Sequence, residues 1–341
     1  MKAAVFYGKK DLKIENIETP KPKQGQVLVR VMACGICGTD VHIFHGDEGV
    51  GETPARTVIG HEFAGLVEAI GEGVKNVKPG DRVCVDPNVL CNECYYCLGS
   101  IGHFCESMTG IGTMINGGFA ELCVVPQSQV YKIKDTTTYE EAAMTEPVAC
   151  CVHGIDMCEI SCGDTVAVIG GGMIGMIMLQ LAKNSGAGKL IMIEPVEEKR
   201  EIAKKLGADL CIDPINEDVH KVLAENNIER ISTVIECVGK VSTMEMAIDI
   251  AGKKSVVMMF GLTAPNDEMK IKPFQIFKKE IVLKASFINP YTQKRALELI
   301  ENKKVDVSSI VYGYEPLERL PEILSDASLR SKGKFIILPQ K

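Results

Sequence analysis

From residue 165 onward the chain alternates between two hydrophobic periods, and this alternation limits its possible folds more than any other feature. "TVAVIG" (165–170), "KLIMIE" (189–194), "STVIECVG" (232–239), "SVVMMFG" (255–261) and "EIVLKASF" (280–287) are strand-length apolar runs. Between them lie helical stretches. "MIGMIMLQLAKNSG" (173–186) is apolar and "VEEKREIAKKLG" (196–207) is amphipathic, and each stops at a glycine. A helix that returns the chain to the start of the next strand makes successive strands parallel. The predicted architecture from 150 to 286 is therefore a doubly wound parallel sheet flanked by helices.

The first strand-to-helix turn of this region is glycine-rich. Gly170, Gly172 and Gly175 have G-x-G-x-x-G spacing, with Met173 and Ile174 between the last two. A lone match of this kind is weak. Here it follows a strand, opens a helix, and precedes an acidic residue, Glu194, at the end of the next strand. Glu194 lies nineteen residues past Gly175, close to the roughly twenty expected of a dinucleotide site. The glycines allow a tight turn and let a pyrophosphate approach the helix N-terminus. Glu194 would accept the hydroxyls of the adenine-side ribose and repel a 2′-phosphate, so NAD is expected rather than NADP. Lys199 and Arg200 could soften that preference. They are read first as the basic face of a helix, and Lys199 is kept as a candidate cofactor contact.

The segment before residue 150 has a different texture. "QVLVRVMACGI", "FAGLVEAIGEGV", "DRVCVDP" and "FAELCVVP" are short strands punctuated by Gly and Pro, a β-rich domain. Inside it lies "CNECYYCLGSIGHFC", with Cys91, Cys94, Cys97 and Cys105. Cys-x-x-Cys steps let one tight turn aim neighbouring thiolates at one ion. Asn92, Glu93, Gly99, Ser100 and Gly102 make the segment a poor core. A zinc ion in a closed four-thiolate cage would organise it, and such a cage leaves no position for substrate. Of the other cysteines, Cys84, Cys123, Cys211, Cys237, Cys150, Cys151, Cys158, Cys162 and Cys34 are expected to be small packed residues.

A second, open set of donors lies elsewhere. Cys37, Thr39 and His42 fall in "ACGICGTDVHIFHGD", His61 and Glu62 in "VIGHEFAG", and Glu146 in "AMTEPVAC". One thiolate, one imidazole and carboxylates form the mixed set that a catalytic zinc uses, with a position left for water or substrate. Each signal is weak alone, and the argument rests on their joint appearance with the cysteine lobe.

With these motifs in place the chain resembles the zinc-dependent medium-chain dehydrogenases, the superfamily of alcohol, sorbitol and threonine dehydrogenases. The likeness runs from "CGICGTDVH" through "GHEFAG", "PGDRV", the cysteine lobe and "EP" to the glycine motif. It implies a GroES-like catalytic domain over 1–149 and 287–341 and an NAD-binding Rossmann domain over 150–286. It also implies two zinc ions per chain. Cys37 and His61 would ligate the catalytic one, with Glu62 and Glu146 in the remaining protein positions, directly or through water. In the alcohol dehydrogenase branch a cysteine stands where this chain has Glu146. The glutamate is similar to the polyol and threonine dehydrogenase branch. Asp40 matches the aspartate that holds the ligating histidine in its metal-binding tautomer. Thr39 and His42 match the relay that passes the alcohol proton outward. Val238, Gly261 and Leu262 would line the nicotinamide side, and Phe44, Phe287 and Ile288 would border the substrate.

Two departures bear on the substrate and cofactor. Sorbitol dehydrogenases carry an Arg-Tyr pair where this chain has Ile288 and Asn289, which counts against sorbitol itself. A basic residue that serves the cofactor phosphate in alcohol dehydrogenases is Gly38 here. The expected activity is reversible oxidation of a secondary alcohol of a polyol or sugar derivative. The alternatives are a threonine 3-dehydrogenase-type or simple alcohol or diol dehydrogenase, and a nucleotide-binding family member without catalysis.

Bulk properties agree. At 46% hydrophobic and 24% charged residues the composition is that of a soluble globular chain, and 341 residues suffice for two cores. A net charge of −7 without a basic stripe argues against a nucleic-acid partner. The longest apolar runs are strand-sized or broken by Gly, which argues against a membrane span. No leader-like h-region opens the sequence, so a cytoplasmic location is expected. A homo-oligomer, dimer or tetramer, is the common state in such families.

Overall fold

The computed structural model describes residues 1–48 and 52–341. The chain divides into two compact units. One comprises Met1–Ala149, Pro290–Asn302 and Val311–Lys341, the other Cys150–Asn289 and Lys303–Ile310. In chain order the elements that matter for function are β1 (Gln26–Gly35), α1 (Gly38–His45), β2 (Glu62–Ile70), β3 (Arg82–Val85), β4 (Leu122–Pro126), β5 (Val130–Lys132) and α2 (Thr145–Cys158). Then follow β6 (Thr165–Ile169), α3 (Met173–Asn184), β7 (Lys189–Ile193), α4 (Glu197–Leu206), β8 (Leu210–Ile212), β9 (Thr233–Glu236), β10 (Val256–Met259) and β11 (Val282–Ala285). The chain ends with β12 (Val311–Glu315) and β13 (Lys334–Ile337).

The first unit is built on a seven-stranded sheet of order β5-β3-β2-β1-β13-β12, with β4 also paired to β1. Only β12 and β13 run parallel. β1 can occupy the centre because its alternate valines, Val27, Val29 and Val31, are fully buried. Each such side chain contributes roughly 1.5–3 kcal/mol over its exposed state. Ile59, Phe63, Phe119, Leu320 and Leu324 complete this core. Register has a functional consequence. Gly35 at the end of β1 faces Glu62 at the start of β2 and Ile336 in β13. Three distant chain segments therefore deliver their ends to one place.

The second unit holds a six-stranded, wholly parallel sheet of order β8-β7-β6-β9-β10-β11. The two halves diverge between β6 and β9, the topological switch point where such sheets bind ligands at the carboxyl ends of the strands. Ala167, Ile191, Val234 and Val257 are completely buried in its core. α3 is buried continuously from Gly175 to Ala182, as its unbroken apolar sequence requires, whereas α4 fully buries only Ala203.

Most of the cysteines expected to pack do so. Cys34, Cys84, Cys123, Cys151 and Cys158 are buried, and Cys150, Cys211 and Cys237 are half-buried. Cys162 corrects the expectation. It is exposed, because it lies in the turn that precedes β6 and not in an apolar run. Among the described residues no helix is long and apolar enough to cross a membrane.

Candidate functional site

Cys37, His61 and Glu62 meet in the first unit, with one donor atom from each lying within 4.8 Å of the others. Cys37 caps the N-terminus of α1, and its backbone N–H donates to Asp40 Oδ2 at 2.8 Å. The other oxygen of that fully buried carboxylate, Oδ1, lies 3.4 Å from His61 Nδ1. Neither of these two atoms has an aligned hydrogen-bond partner among the described residues. Asp40 thus fixes the helix start and turns the imidazole, leaving its Nε2 for another partner. Burial opposes a charge on His61, but the carboxylate of Asp40 and the sulfur of Cys37 outweigh it and hold the imidazole pKa well above its ordinary value.

Lys334 is a member of this cluster that sequence reasoning did not find. It is 4% exposed, donates to the Ile36 carbonyl at 2.8 Å and pairs with Glu62 Oε2. Burial works against its charge, yet Glu62, Cys37 and Asp40 together raise its pKa. The strand "KFII" begins with one cation before an apolar run, and that misfit was the signal available. Gly35 makes room for this pair, because a Cβ there would collide with Glu62 Oε2 and approach Lys334 Cε to 2.9 Å, so the two side chains would have to shift. Glu62 Oε1 is buried and has no hydrogen-bond partner among the described residues. Such an atom costs about 1–3 kcal/mol unless it is satisfied. The cluster also holds three potential anions, Cys37, Asp40 and Glu62, against one lysine, and a divalent ion would balance the remainder. A thiolate, an imidazole and a carboxylate with an orphaned oxygen fit zinc, and three protein donors leave a position open.

The remaining candidates in this unit fall in different places. Thr39 Oγ1 is 3.7 Å from Cys37 Sγ. His42 stands on the exposed side of α1, with Nδ1 2.9 Å from Asp47 Oδ2. That contact lowers the Asp47 carboxyl pKa, and Asp47 too was not anticipated. Glu146, buried at the start of α2, is not one of the three donors that meet. Phe44 is 5% exposed and packs in the apolar core, because α1 turns Asp40, Ile43 and Phe44 inward together.

The four lobe sulfurs also lie within 4.8 Å of one another. Asn92 takes a left-handed conformation (φ +62°), and Cys94 caps the single turn Tyr95–Leu98. Backbone N–H groups point at sulfur, from Cys94 to Cys91 and from Cys91 to Cys105, each at 3.4 Å. The N–H groups of Cys97 and Glu106 pull the Cys94 thiol down to about 6, and that of Cys91 lowers Cys105. Burial, with the neighbouring thiols, pushes Cys97 up to about 12. Tyr95 and Leu98 are 79% and 74% exposed, so the lobe lacks an apolar core. Four convergent thiols, two already inclined to ionise, fit a structural zinc.

In the second unit the glycine turn and Glu194 form one arrangement at the carboxyl ends of β6 and β7. Gly170 is left-handed (φ +99°), and a Cβ on Gly175 would strike the Gly170 carbonyl. Gly172 caps α3 and faces open space, with Met173 and Ile174 half-buried in the first turn. Glu194 is 5% exposed. Its Oε2 accepts from Gly171 N at 2.6 Å and its Oε1 from Val196 N at 2.9 Å, which leaves each oxygen a free lone pair. An open helix N-terminus beside a preset carboxylate fits the pyrophosphate and ribose of a dinucleotide. At the neighbouring strand ends lie Val238 and Leu262, 40% and 70% exposed. The fully buried Glu236, which sequence reasoning missed, orders this edge by accepting from Val238 N, Gly239 N and Thr243 Oγ1 at 2.7–3.0 Å. Its other oxygen would lie 2.6 Å from a Cβ on Gly261. Lys199 is half-buried on α4. Phe287 is 51% exposed, and Ile288 takes a left-handed φ of +46°.

Comparison with known proteins gives the following. Residues 23–135 match the alcohol dehydrogenase GroES-like domain, and residues 173–302 match the zinc-binding dehydrogenase family. D-arabinitol dehydrogenase 1 of Uromyces fabae is 31% identical over 98% of this chain and 97% of its own length. L-threonine 3-dehydrogenase of Pyrococcus abyssi is 30% identical over 99% and 97%. Among solved structures, a zinc-binding dehydrogenase from Sinorhizobium meliloti bound to NADP superposes with a TM-score of 0.95 at 32% identity, covering 99% of both chains.

Proposed function

Because this chain belongs to the zinc-binding dehydrogenases with a GroES-like domain, we propose that it oxidises a secondary alcohol of a polyol or sugar derivative to the ketone, reversibly, with NAD. The observation that carries this reading is one chain holding both an open Cys37–His61–Glu62 donor set and a glycine turn with a preset Glu194. When bound, zinc would acidify the alcohol hydroxyl and the nicotinamide would accept the hydride, so that alcohol and NAD+ become ketone, NADH and a proton.

The chain's own residues do the rest. Cys37 and His61, with Glu62 and with Glu146 directly or through water, hold the metal. Asp40 keeps the His61 ring turned. Lys334 pins one oxygen of Glu62 and leaves the other for the metal or its water. Thr39, beside Cys37, passes the alcohol proton to His42. The partly exposed imidazole, oriented by Asp47, hands it to solvent. Glu194 takes the ribose hydroxyls, and Val238, Gly261 and Leu262 border the nicotinamide end. Phe44, Phe287 and Ile288 border the substrate. Cys91, Cys94, Cys97 and Cys105 hold a second, structural zinc. Residues 1–149 with 287–341 form the catalytic domain and 150–286 the cofactor domain. The protein works in the cytoplasm as a homo-oligomer, with a small-molecule substrate and neither nucleic acid nor membrane as partner.

A second reading, a threonine 3-dehydrogenase-type or simple alcohol or diol dehydrogenase, is favoured by the Pyrococcus relative. NADH formation across pentitols, hexitols, sugar phosphates, diols and L-threonine separates the two. Highest turnover on a polyol supports the first reading, and highest turnover on threonine or a diol supports the second. No turnover on any of them contradicts both and leaves a nucleotide-binding protein without catalysis.

A further inference from the structure

We propose that cofactor selectivity is set by a clamp as well as by Glu194: Asp213 holds Arg200 away from the ribose 2′ position, turning a natural phosphate ligand into a backbone tie. The inference rests on the dinucleotide reading above.

Arg200 is on the first turns of α4, and Asp213 directly follows β8, at the edge of the sheet where the adenine end of a dinucleotide sits. A guanidinium here is the usual partner of a 2′-phosphate, because its fork matches phosphate oxygens. In this chain one nitrogen of the fork, Nη1, is committed elsewhere. Arg200 Nη1 donates to the Glu194 carbonyl at 2.8 Å and to the Pro195 carbonyl at 2.7 Å, and lies 3.3 Å from Asp213 Oδ2. The two side chains are only 17% and 11% exposed, so water screens the pair weakly.

Asp213 is itself immobilised. Oδ1 accepts from Ile215 N and Oδ2 from Asn216 Nδ2, both at 3.0 Å, and its own N–H donates to Glu217 Oε2 at 2.7 Å. Those hydrogen bonds, Asn216's foremost, keep its carboxyl below the ordinary range, so it stays ionised as the anchor. The tie reaches the functional carboxylate through the main chain. Arg200 grips the carbonyls of residues 194 and 195 while Glu194 Oε1 accepts from Val196 N. One arginine thereby stiffens the ribose acceptor, and the anchoring of its Nη1 draws the guanidinium away from phosphate. Lys199, its neighbour, has no ion pair among the described residues and is a separate cation that Asp213 does not control.

The test is calorimetric titration of the protein with NADH and with NADPH, which reads binding without turnover. Asp213→Asn keeps one acceptor for Ile215 N, turns the oxygen that accepts from Asn216 into a donor, and removes the charge. The ratio of NADPH to NADH affinity should rise about tenfold, which is ~1.4 kcal/mol. Arg200→Gln in the parent should weaken both nucleotides by a similar factor and leave the ratio within about twofold. In the double variant the gain of Asp213→Asn should vanish. An unchanged ratio in Asp213→Asn overturns the clamp. A gain that survives in the double variant does so as well, since Asp213 would then act through its own charge. If Asp213→Asn fails to fold, the Arg200→Gln arm decides, because selective loss of NADPH would show that Arg200 already reads the phosphate. A parent that binds neither nucleotide overturns the dehydrogenase reading together with the clamp. A parent that binds NADH with no shift in any variant removes the clamp alone.

Discussion

The two donor clusters of the first unit differ in almost every physical respect. The cysteine lobe is thiol-only, closed, contiguous in sequence and set in a loop with exposed Tyr95 and Leu98. The Cys37–His61–Glu62 cluster is mixed, buried and open. It is assembled from segments far apart in sequence, Lys334 lying 272 residues from Glu62. One cluster gives a coreless loop its shape. The other is held by a folded sheet and keeps a position for chemistry. On the proposed reading, exposure, donor type and the source of rigidity separate the structural cluster from the catalytic one, whereas the mere presence of cysteines does not.

Breaking the open cluster should have the largest effect. Cys37→Ser is expected to reduce turnover by about a thousandfold or more, since the charge-stabilising centre at the reacting oxygen is lost. NADH titration and the melting curve should change little. Retained turnover would remove the catalytic assignment from this cluster.

The next effect concerns Lys334. Lys334→Met leaves Glu62 as a buried carboxylate without its cation, at a cost of about 3–5 kcal/mol. Because a divalent ion shares that neutralisation, the loss should be larger in zinc-stripped protein than in loaded protein. Equal losses in chemical denaturation of the two forms would contradict the charge balance proposed for the site.

Breaking the lobe should act on stability. Cys97→Ser is expected to lower the melting temperature by about 5 °C or more, because a structural ion contributes folding free energy. Turnover per folded molecule should be nearly retained. A variant as heat-resistant as the parent would deny the lobe its structural role.

The smallest effect is one of pH. In metal-stripped protein the pKa of His61 is raised. Its stabilising contribution is therefore complete below the unfolded value, about 6.5, and is lost as pH rises through the raised folded value. Melting temperature should drift downward with pH in the stripped form from near neutrality upward. The loaded form, with a neutral ligating imidazole, should lack that drift. Parallel curves would contradict the assignment of His61 as a ligand.

What sequence reasoning could reach follows from locality. The glycine turn, Glu194, the alternating strands and the four cysteines are written in short windows, and their spacing carries their meaning. Lys334 is not local. Its significance comes from β13 lying beside β1, a pairing that no window contains. Asp213, just after β8, and Arg200, on α4, likewise meet only once strand and helix have packed. Cys162 was misplaced because a turn beside a strand looks apolar when read as part of it.

The most direct test of the account is zinc content measured together with turnover, in the parent and in His61→Ala. The parent should carry two zinc ions per chain and oxidise its alcohol. His61→Ala should retain one zinc, held by the cysteine lobe, still bind NADH, and be inactive. A fully active protein with zinc at the lobe alone would contradict the central claim.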